Sequence, residues 1–128
     1  MPKTKQITVW VADRPGILGD VASTLGEKKI NIQAFLAHVA GDEGAIRLIV
    51  DKPAAAKKAL TARGWRATEE DVVTLALANK PGTLGVAAGK LGGAGVNIRY
   101  GYTGGAKGGK VSAYFAVPDA AAALKALR

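Results

Sequence analysis

The sequence predicts an α+β protein that contains one small module twice. Two segments of equal length carry this prediction: DRPGILGDVASTLGEKKINI at 13–32 and NKPGTLGVAAGKLGGAGVNI at 79–98. Each begins with a small polar residue, a basic residue and Pro-Gly, and each ends on Asn-Ile. The matched residues share one offset of 66 positions, and self-similarity at a fixed period indicates a duplicated structural unit.

The segments after the two motifs also correspond. RLIVDKPAAAKKAL at 47–60 matches AYFAVPDAAAALKAL at 113–127 once a single residue is inserted. The chain of 128 residues is long enough for two small modules that share a core. We therefore expect a first module at 1–70 and a second module at 71–128.

The order of elements in each copy follows from the period of its apolar residues. Alternation at 7–12 and an apolar run at 72–78 predict an opening strand in each copy. The next segment of each copy has the i, i+3, i+4, i+7 spacing of one helix face. Asp13 and Asn79 are expected to cap these helices, and the Pro of each motif suits a first turn. The residues on the two helix faces are Leu18, Val21, Ala22, Leu25, Leu84, Ala87, Ala88 and Leu91.

Each of these helices is followed by two extended runs and a second helix. The runs at 30–40 and 45–51 flank GDEG, and those at 96–103 and 111–117 flank GGAKGG, so we expect two hairpins. Ala-rich helices are expected at about 53–63 and from about Pro118 onward. This order is that of a ferredoxin-like βαββαβ module, whose antiparallel sheet carries both helices on one face.

The two copies are expected to differ at their ends. A short strand at 65–68 completes the first module, whereas the second module lacks its last strand. Residues 65–78, interrupted only by TEED in a turn, are a candidate to fill that place. Because bare edge strands of small sheets are unstable, we expect the two sheets to pair side by side and the chain to form a homodimer.

Composition and charge restrict the function classes. Cysteine is absent, which excludes disulfides, thiolate catalysis and cysteine-based metal sites. No apolar run is long enough for a signal peptide or a membrane span, so a cytoplasmic protein without membrane association is expected. Residues 72–128 hold seven basic residues and one acidic residue, within a chain of net charge +8. Such a basic half attracts anions of any class.

The side chains present disfavour catalysis. His38 is the sole histidine, so a histidine-based triad or a multi-histidine metal site is impossible. Glu69, Glu70 and Asp71 form an acidic run that is more typical of a solvated turn than of a metal site or an acid–base pair. We therefore expect no catalytic residue, no metal and no cofactor.

Two interpretations as a nucleotide-binding protein also fail. The loop GGAKGGKV at 104–111 resembles a phosphate-binding P-loop, but Val111 replaces the Ser or Thr that holds Mg²⁺, and a strand follows where a helix is needed. RNA-recognition modules with this element order stack bases on aromatic residues of both central strands. In the first copy, Trp10 of the opening strand has no aromatic partner in the third strand, AIRLIVD. In the second copy, Tyr114 and Phe115 of the third strand have none in the opening strand, VVTLALA. Nucleic acid is therefore retained only as an alternative partner, because the second half is basic.

The duplicated motif has chemistry that suits a small zwitterion. A helix that follows Pro-Gly leaves its first backbone N–H groups without helical acceptors, and glycines let a ligand approach closely. The positive end of the helix dipole suits a carboxylate. An Asp or Asn beside it, with the Asn that opens the next strand, suits an ammonium group. These groups together suit an α-amino acid, whereas in the purely structural interpretation they only cap, pack and turn.

The two motifs and the strand pattern around them resemble the ACT domain, a small regulatory module that binds amino acids in metabolic enzymes and regulators. The resemblance covers nearly the whole chain as two tandem modules with no catalytic domain. It implies that loop residues and the Asn of the next strand contact the ligand across an interface between two modules. Because Asp13 stands where the family usually has Asn, the two pockets need not be equivalent. The implied ligand-binding residues are Asp13, Gly16, Ile17, Leu18, Asn31, Asn79, Gly82, Thr83, Leu84 and Asn97.

The resemblance implies a non-catalytic regulatory protein that senses amino-acid level and reports it to a metabolic enzyme or regulator. If each ligand lies between two modules, Asn31 is expected to contact the ligand bound at the loop of Asn79. Asn97 is then expected to contact the ligand bound at the loop of Asp13. The alternatives are a nucleic-acid-binding protein of ferredoxin-like fold and a structural scaffold with vestigial pockets.

Overall fold

A computed structural model describes residues 3–128 of the chain. Its elements repeat the order strand, helix, strand, strand, helix, so the predicted α+β, ferredoxin-like fold class is confirmed. In chain order the elements are β1 Lys3–Val11, α1 Ile17–Glu27, β2 Ile32–Ala40, β3 Glu43–Val50, α2 Pro53–Ala62, β4 Arg66–Ala78, α3 Thr83–Gly93, β5 Tyr100–Lys107, β6 Lys110–Ala116 and α4 Ala120–Ala126. No helix within 3–128 is long and apolar enough to cross a membrane.

The chain divides into two compact units. Lys5–Glu70 form the first unit, in which neighbouring strands follow the order β2-β3-β1-β4. Asp71–Arg128, with Lys3 and Thr4, form the second unit, in which the order is β4-β6-β5. β4 therefore contributes its first residues to one unit and the rest to the other.

β4 is one continuous strand of 13 residues. The predicted turn at TEED is therefore wrong, and the strand predicted at 65–68 is present as the first part of β4. Glu70 is held within the strand because its carboxylate accepts hydrogen bonds from Nε2 of Gln6 (2.9 Å), from the hydroxyl of Thr8 and from the hydroxyl of Thr68 (3.1 Å). The acidic run thus belongs to the sheet, and the start of β4 is the last strand of the first unit.

Residues from the start of the chain join the second unit. Lys3 and Thr4 of β1 belong to it, and Nζ of Lys3 lies 3.4 Å from Oδ2 of Asp71. Among residues 3–128, α4 is the last element of this unit and no strand follows it. The prediction that the second copy has no last strand of its own is consistent with this order.

The two motif helices begin directly after a glycine in the left-handed region. Gly16 (φ 84°) and Gly82 (φ 89°) are the N-cap residues of α1 and α3, and no side chain makes a capping hydrogen bond at either position. The prediction that Asp13 and Asn79 cap these helices is therefore wrong, and the prolines precede the helices instead of lying in their first turns. Because a β-carbon is strained at this φ, each motif needs glycine after its proline.

The core of the first unit lies between one face of its sheet and the two helices. Alternate residues of a strand point to the same face, and those of β1 and β3 contact Val21, Leu25 and Leu60, which are fully buried. Leu18, predicted on the buried helix face, is 37% exposed because that side of α1 lies beside the open edge of β2. The strand residues of this core are Ile7, Val9, Val11, Ile46, Leu48 and Val50.

The core of the second unit has the same plan with smaller side chains. Leu91 of α3 and Ala123 of α4 are fully buried. Leu84, predicted on the buried face of α3, is 56% exposed and lies outside this core. The remaining buried members are Val73, Leu75, Ala87, Ala113 and Phe115.

Both predicted hairpins are present. β2 pairs antiparallel with β3, and β5 pairs antiparallel with β6. β5 begins at Tyr100, later than predicted, and its pairing is irregular between Thr103 and Ala106. β2 and β5 are the outer strands of their units.

Candidate functional site

A cavity of about 220 Å³ lies beside the β1–α1 loop of the first unit. Its lining brings together Asp13, Ile17 and Leu18, three of the residues predicted to bind a ligand. Asp13 is the one carboxylate in this lining, which is otherwise mainly aliphatic. Besides Ile17 and Leu18, the aliphatic residues are Val11, Ala37, Val39, Ala45 and Ile46.

Antiparallel pairing explains why the end of β2 meets this loop. Gly44, in β3, pairs with Val11 at the end of β1 and with Val39 near the end of β2. The three positions therefore lie at the same end of the sheet, and the loop after Val11 leaves from that end. The cavity forms where the loop turns back toward α1.

The loop is closed by an ion pair. Nη2 of Arg14 lies 2.7 Å from Oδ2 of Asp20, and Nη1 of Arg14 donates to the carbonyl oxygen of Pro15 at 3.1 Å. Both charged side chains are about half exposed. The guanidinium of Arg14 thus offsets the negative charge of Asp20 in the first turn of α1.

The first turn of α1 presents backbone donors. The N–H of Asp20 donates to the carbonyl oxygen of Gly16 at 3.0 Å. The N–H groups of Leu18 and Gly19 precede this bond and have no acceptor within the helix. The helix dipole adds partial positive charge at this end, so the turn is suited to bind a carboxylate.

Two predicted residues of the first copy lie outside the cavity lining. Gly16 shapes the loop through its backbone, as described above. The N–H of Asn31 donates to Oδ1 of Asp51 at 3.0 Å, and the N–H of Asp51 donates to the carbonyl oxygen of Asn31 at 3.2 Å. Asn31 precedes the first residue of β2, roughly 25 Å along an extended strand from Val39.

The equivalent residues of the second copy are divided between two grooves beside α3. Thr83 lines one groove of about 190 Å³, and Leu84 lines the other, of about 330 Å³. The Thr83 hydroxyl donates to the carbonyl oxygens of Ala78 (2.8 Å) and Lys80 (3.2 Å), so it is bound within its own loop. Neither groove includes Asn79, Gly82 or Asn97 in its lining.

His38, expected from sequence to be structural, lines the cavity beside Asp13. Its Nε2 accepts a hydrogen bond from Nε of Arg47 at 3.1 Å, and Nη1 of Arg47 donates to the hydroxyl of Thr8 at 3.2 Å. The sequence contains no signal for this arrangement, because it depends on the register in which β2 pairs with β3. That register places His38 opposite Ala45.

The segment that resembles a P-loop forms the end of the β5–β6 hairpin, as predicted, and only Gly108 and Gly109 lie between the two strands. The aromatic residues of these strands are also unsuited to stack bases. Tyr102 and Tyr114 stack on each other with centroids 5.5 Å apart, and Tyr114 is only 7% exposed. The structure therefore gives no support to the P-loop or to an aromatic platform for RNA.

Comparison with known proteins shows a similarity of the first unit to one family and a shared fold over nearly the whole chain. Residues 5–63 match the family model of the ACT domain. The chain is similar in structure to protein BT0572 from Bacteroides thetaiotaomicron, with 28% identity, a TM-score of 0.88 and coverage of 98% of this chain and 86% of that one. No curated protein sequence matches the chain.

Two further similar structures are regulatory subunits of aspartate kinase. The subunit from Thermus thermophilus, in a ligand-free form, is 23% identical with a TM-score of 0.67, over 98% of this chain and 95% of that one. The subunit from Thermus flavus is 24% identical with a TM-score of 0.59, over 96% and 89%. Since these matches extend over nearly the whole chain, they support the fold of both copies. Within the first unit, residues 5–63 are therefore similar to the ACT domain.

Proposed function

We propose that this protein is a regulatory protein that binds a small α-amino acid in the first unit. The observation that carries the proposal is the 220 Å³ cavity in which the carboxylate of Asp13 and the first residues of α1 share an aliphatic lining. One site thus holds a partner for each end of a zwitterion.

Each part of an amino acid has a complement in this cavity. The ammonium group pairs with Asp13, and the carboxylate binds the free N–H groups in the first turn of α1, where the dipole favours an anion. The side chain contacts Val11, Val39 and Ile46. Because the cavity is small and its wall is aliphatic, an amino acid with a short apolar side chain fits best.

We propose that a second copy of the chain completes the site through β2. Phe35 and Val39 on this edge strand are 53% and 59% exposed, and an uncovered apolar edge favours association. A two-fold antiparallel pairing of β2 about Phe35 would bring the Phe35 side chains of the two copies together.

The same pairing assigns a role to Asn31. Asn31 and Val39 are each four positions from Phe35, so a second copy brings its Asn31 beside Val39 at the cavity mouth. There the side-chain amide supplies a polar contact that the cavity of a single copy does not contain. The homodimer thereby joins Asn31 to Asp13, Gly16, Ile17 and Leu18 in one site.

We propose that the loop of the second unit binds the ligand more weakly. Its neutral Asn79 replaces the carboxylate of Asp13, and the hydroxyl of Thr83 is bound to Ala78 and Lys80. Its other predicted residues, Gly82, Leu84 and Asn97, are not gathered around one cavity. The tandem arrangement would then hold one sensing module and one module with a different role.

The regulatory role is supported by the ACT domain at 5–63 and by the names of two similar structures, which are regulatory subunits of aspartate kinase. In this proposal the ligand changes contacts with another protein. The output partner is then a metabolic enzyme or regulator, as expected from the sequence.

A thermal-shift screen of the common amino acids tests the proposal. An amino acid at a hundred times its Kd stabilises the fold by about 2.7 kcal/mol, and we expect this response for small apolar amino acids. Asp13→Ala should abolish the response, whereas Glu27→Ala, which removes an exposed carboxylate at the other end of α1, should preserve it. The absence of a response to every amino acid, or an equal response in both variants, contradicts the proposed site.

A further inference from the structure

The outer strand of the second unit, β5, has a groove along its exposed side. Its first half, from Tyr100 to Thr103, pairs regularly with β6, and the irregularity that follows ends this regular segment. A cavity of about 330 Å³ opens between this half and α3. Its lining includes Leu84, Ala88, Ile98, Gly101 and Phe115.

Gly101 lies in the wall of this groove. At the equivalent position of the first unit, 66 residues earlier, Phe35 projects from the edge strand and is 53% exposed. At Gly101 no side chain fills the edge, and a β-carbon there would lie 2.8 Å from Cδ1 of Phe115. The first unit has a groove of about 310 Å³ at the equivalent positions, which Phe35 lines. The groove of the second unit has no side chain at Gly101 and forms an apolar recess there.

Basic residues flank the recess at both ends. Arg99 precedes β5, and Lys107 and Lys110 form the tip of the β5–β6 hairpin; all three are exposed. The two acidic residues of 71–128 lie elsewhere, because Asp71 is in β4 and Asp119 caps α4 through a hydrogen bond to the N–H of Ala122. The β5 edge thus combines an apolar centre with positive ends.

This charge pattern disfavours a second copy as the occupant. Arg99 and Lys107 are each four positions from Thr103, so two-fold antiparallel pairing of β5 would place Arg99 of each copy opposite Lys107 of the other. Like charges directly opposite each other destabilise strand pairing.

We propose that the β5 edge docks an extended segment of a partner protein that has an apolar centre and acidic ends. The segment adds to β5 as a further strand, with an aromatic or large aliphatic side chain in the recess at Gly101 and carboxylates against Arg99, Lys107 and Lys110. Strand addition of this kind combines main-chain hydrogen bonds with side-chain pockets that select the sequence. The inference goes beyond the amino-acid site and does not depend on it.

The test uses the full chain and a synthetic heptapeptide with valine, phenylalanine and valine at its centre and two glutamates at each end. Fluorescence anisotropy of the labelled peptide should show saturable binding in the micromolar range. A peptide in which lysines replace the glutamates should not bind. Because both probes are defined, the result does not depend on the identity of the natural partner.

Matched variants locate the peptide on the β5 edge. Ala88→Leu fills the recess and should weaken binding about ten-fold or more, whereas Ala22→Leu, at the equivalent position of the first unit, should leave it unchanged. Arg99→Glu with Lys110→Glu should weaken binding at least as much, whereas Lys125→Glu on α4 should change it less than about two-fold. Circular dichroism and Tm show that each variant is folded.

Three results would each overturn the proposal. The first is no saturable binding at millimolar peptide, and the second is equal binding of the lysine peptide. The third is unchanged affinity in folded Ala88→Leu. If the peptide does not bind and Arg99→Glu with Lys110→Glu instead alters the mass of the native protein, a second copy occupies the edge and the proposal is wrong.

Discussion

Gly101 pairs with Phe115 across the β5–β6 hairpin, and the ring of Phe115 occupies the space above the glycine. The equivalent pair in the first unit is Phe35 with Leu48. The aromatic ring thus stands on the outer strand in one copy and on the inner strand in the other. This exchange gives the two units different edges although their strands pair in the same way.

Substitution of Gly101 should destabilise the second unit. Gly101→Ala places a β-carbon 2.8 Å from the Phe115 ring, which is 5% exposed and has little room to move. Overpacking of this kind costs about 1–3 kcal/mol. Gly105→Ala in the same strand is the control, because no atom lies within 4 Å of its β-carbon position. Urea denaturation measures the free energy of unfolding of both variants. Equal values would contradict the close packing of Gly101 against Phe115.

A compensating exchange offers a stricter check of the same contact. Phe115→Leu reproduces the inner residue of the first unit and makes room at position 101. We expect Gly101→Ala to cost less in the Phe115→Leu background than in the parent protein, since contacting residues are coupled. Additive free energies of unfolding would show that the two positions do not interact.

Removal of the Glu70 carboxylate should destabilise the first unit. Glu70 accepts hydrogen bonds from Gln6 and Thr8, which are 0% and 1% exposed. Glu70→Ala takes an acceptor from both buried side chains, at a cost of about 1–3 kcal/mol in the free energy of unfolding. Glu69→Ala removes an exposed carboxylate next to it and should change stability by less than about 0.5 kcal/mol. Chemical denaturation distinguishes the two.

Charge at Phe35 should dissociate the proposed homodimer. Phe35→Glu places a carboxylate at the two-fold axis of the β2 pairing, opposite its own copy. Sedimentation velocity should then report the mass of one chain, whereas Val86→Glu, at an α3 position that is 63% exposed, should keep the mass of two. A parent protein that is already monomeric at micromolar concentration would remove the basis of this prediction.

Asn31→Ala should weaken ligand binding far more than it weakens the fold. The hydrogen bonds that Asn31 makes to Asp51 use its backbone N–H and carbonyl groups, which the substitution retains. Calorimetry with an amino acid found in the screen should show a loss of about ten-fold or more in affinity, with a change in Tm of a few degrees at most. Asn97→Ala is the matched variant, and an equal loss there would assign the ligand to both copies.

The local pattern of the sequence determined the number, type and order of most elements. Constant spacing revealed the duplicated motif, periods of two and of three to four revealed strands and helices, and turn residues marked both hairpins. These signals are local, because each depends on residues a few positions apart. The glycine after each proline was also readable, although its role is backbone conformation at an N-cap and not a side-chain cap.

Tertiary structure decided where those elements meet. The acidic run at 69–71 reads locally as a turn, yet Gln6 and Thr8, more than sixty residues away, hold Glu70 inside a strand. His38 enters the cavity lining with Asp13 because antiparallel pairing brings the end of β2 to the end of β1. The ring of Phe115, on the neighbouring strand, packs closely against Gly101. Contacts of this kind depend on strand register and packing between distant residues, which no local period encodes.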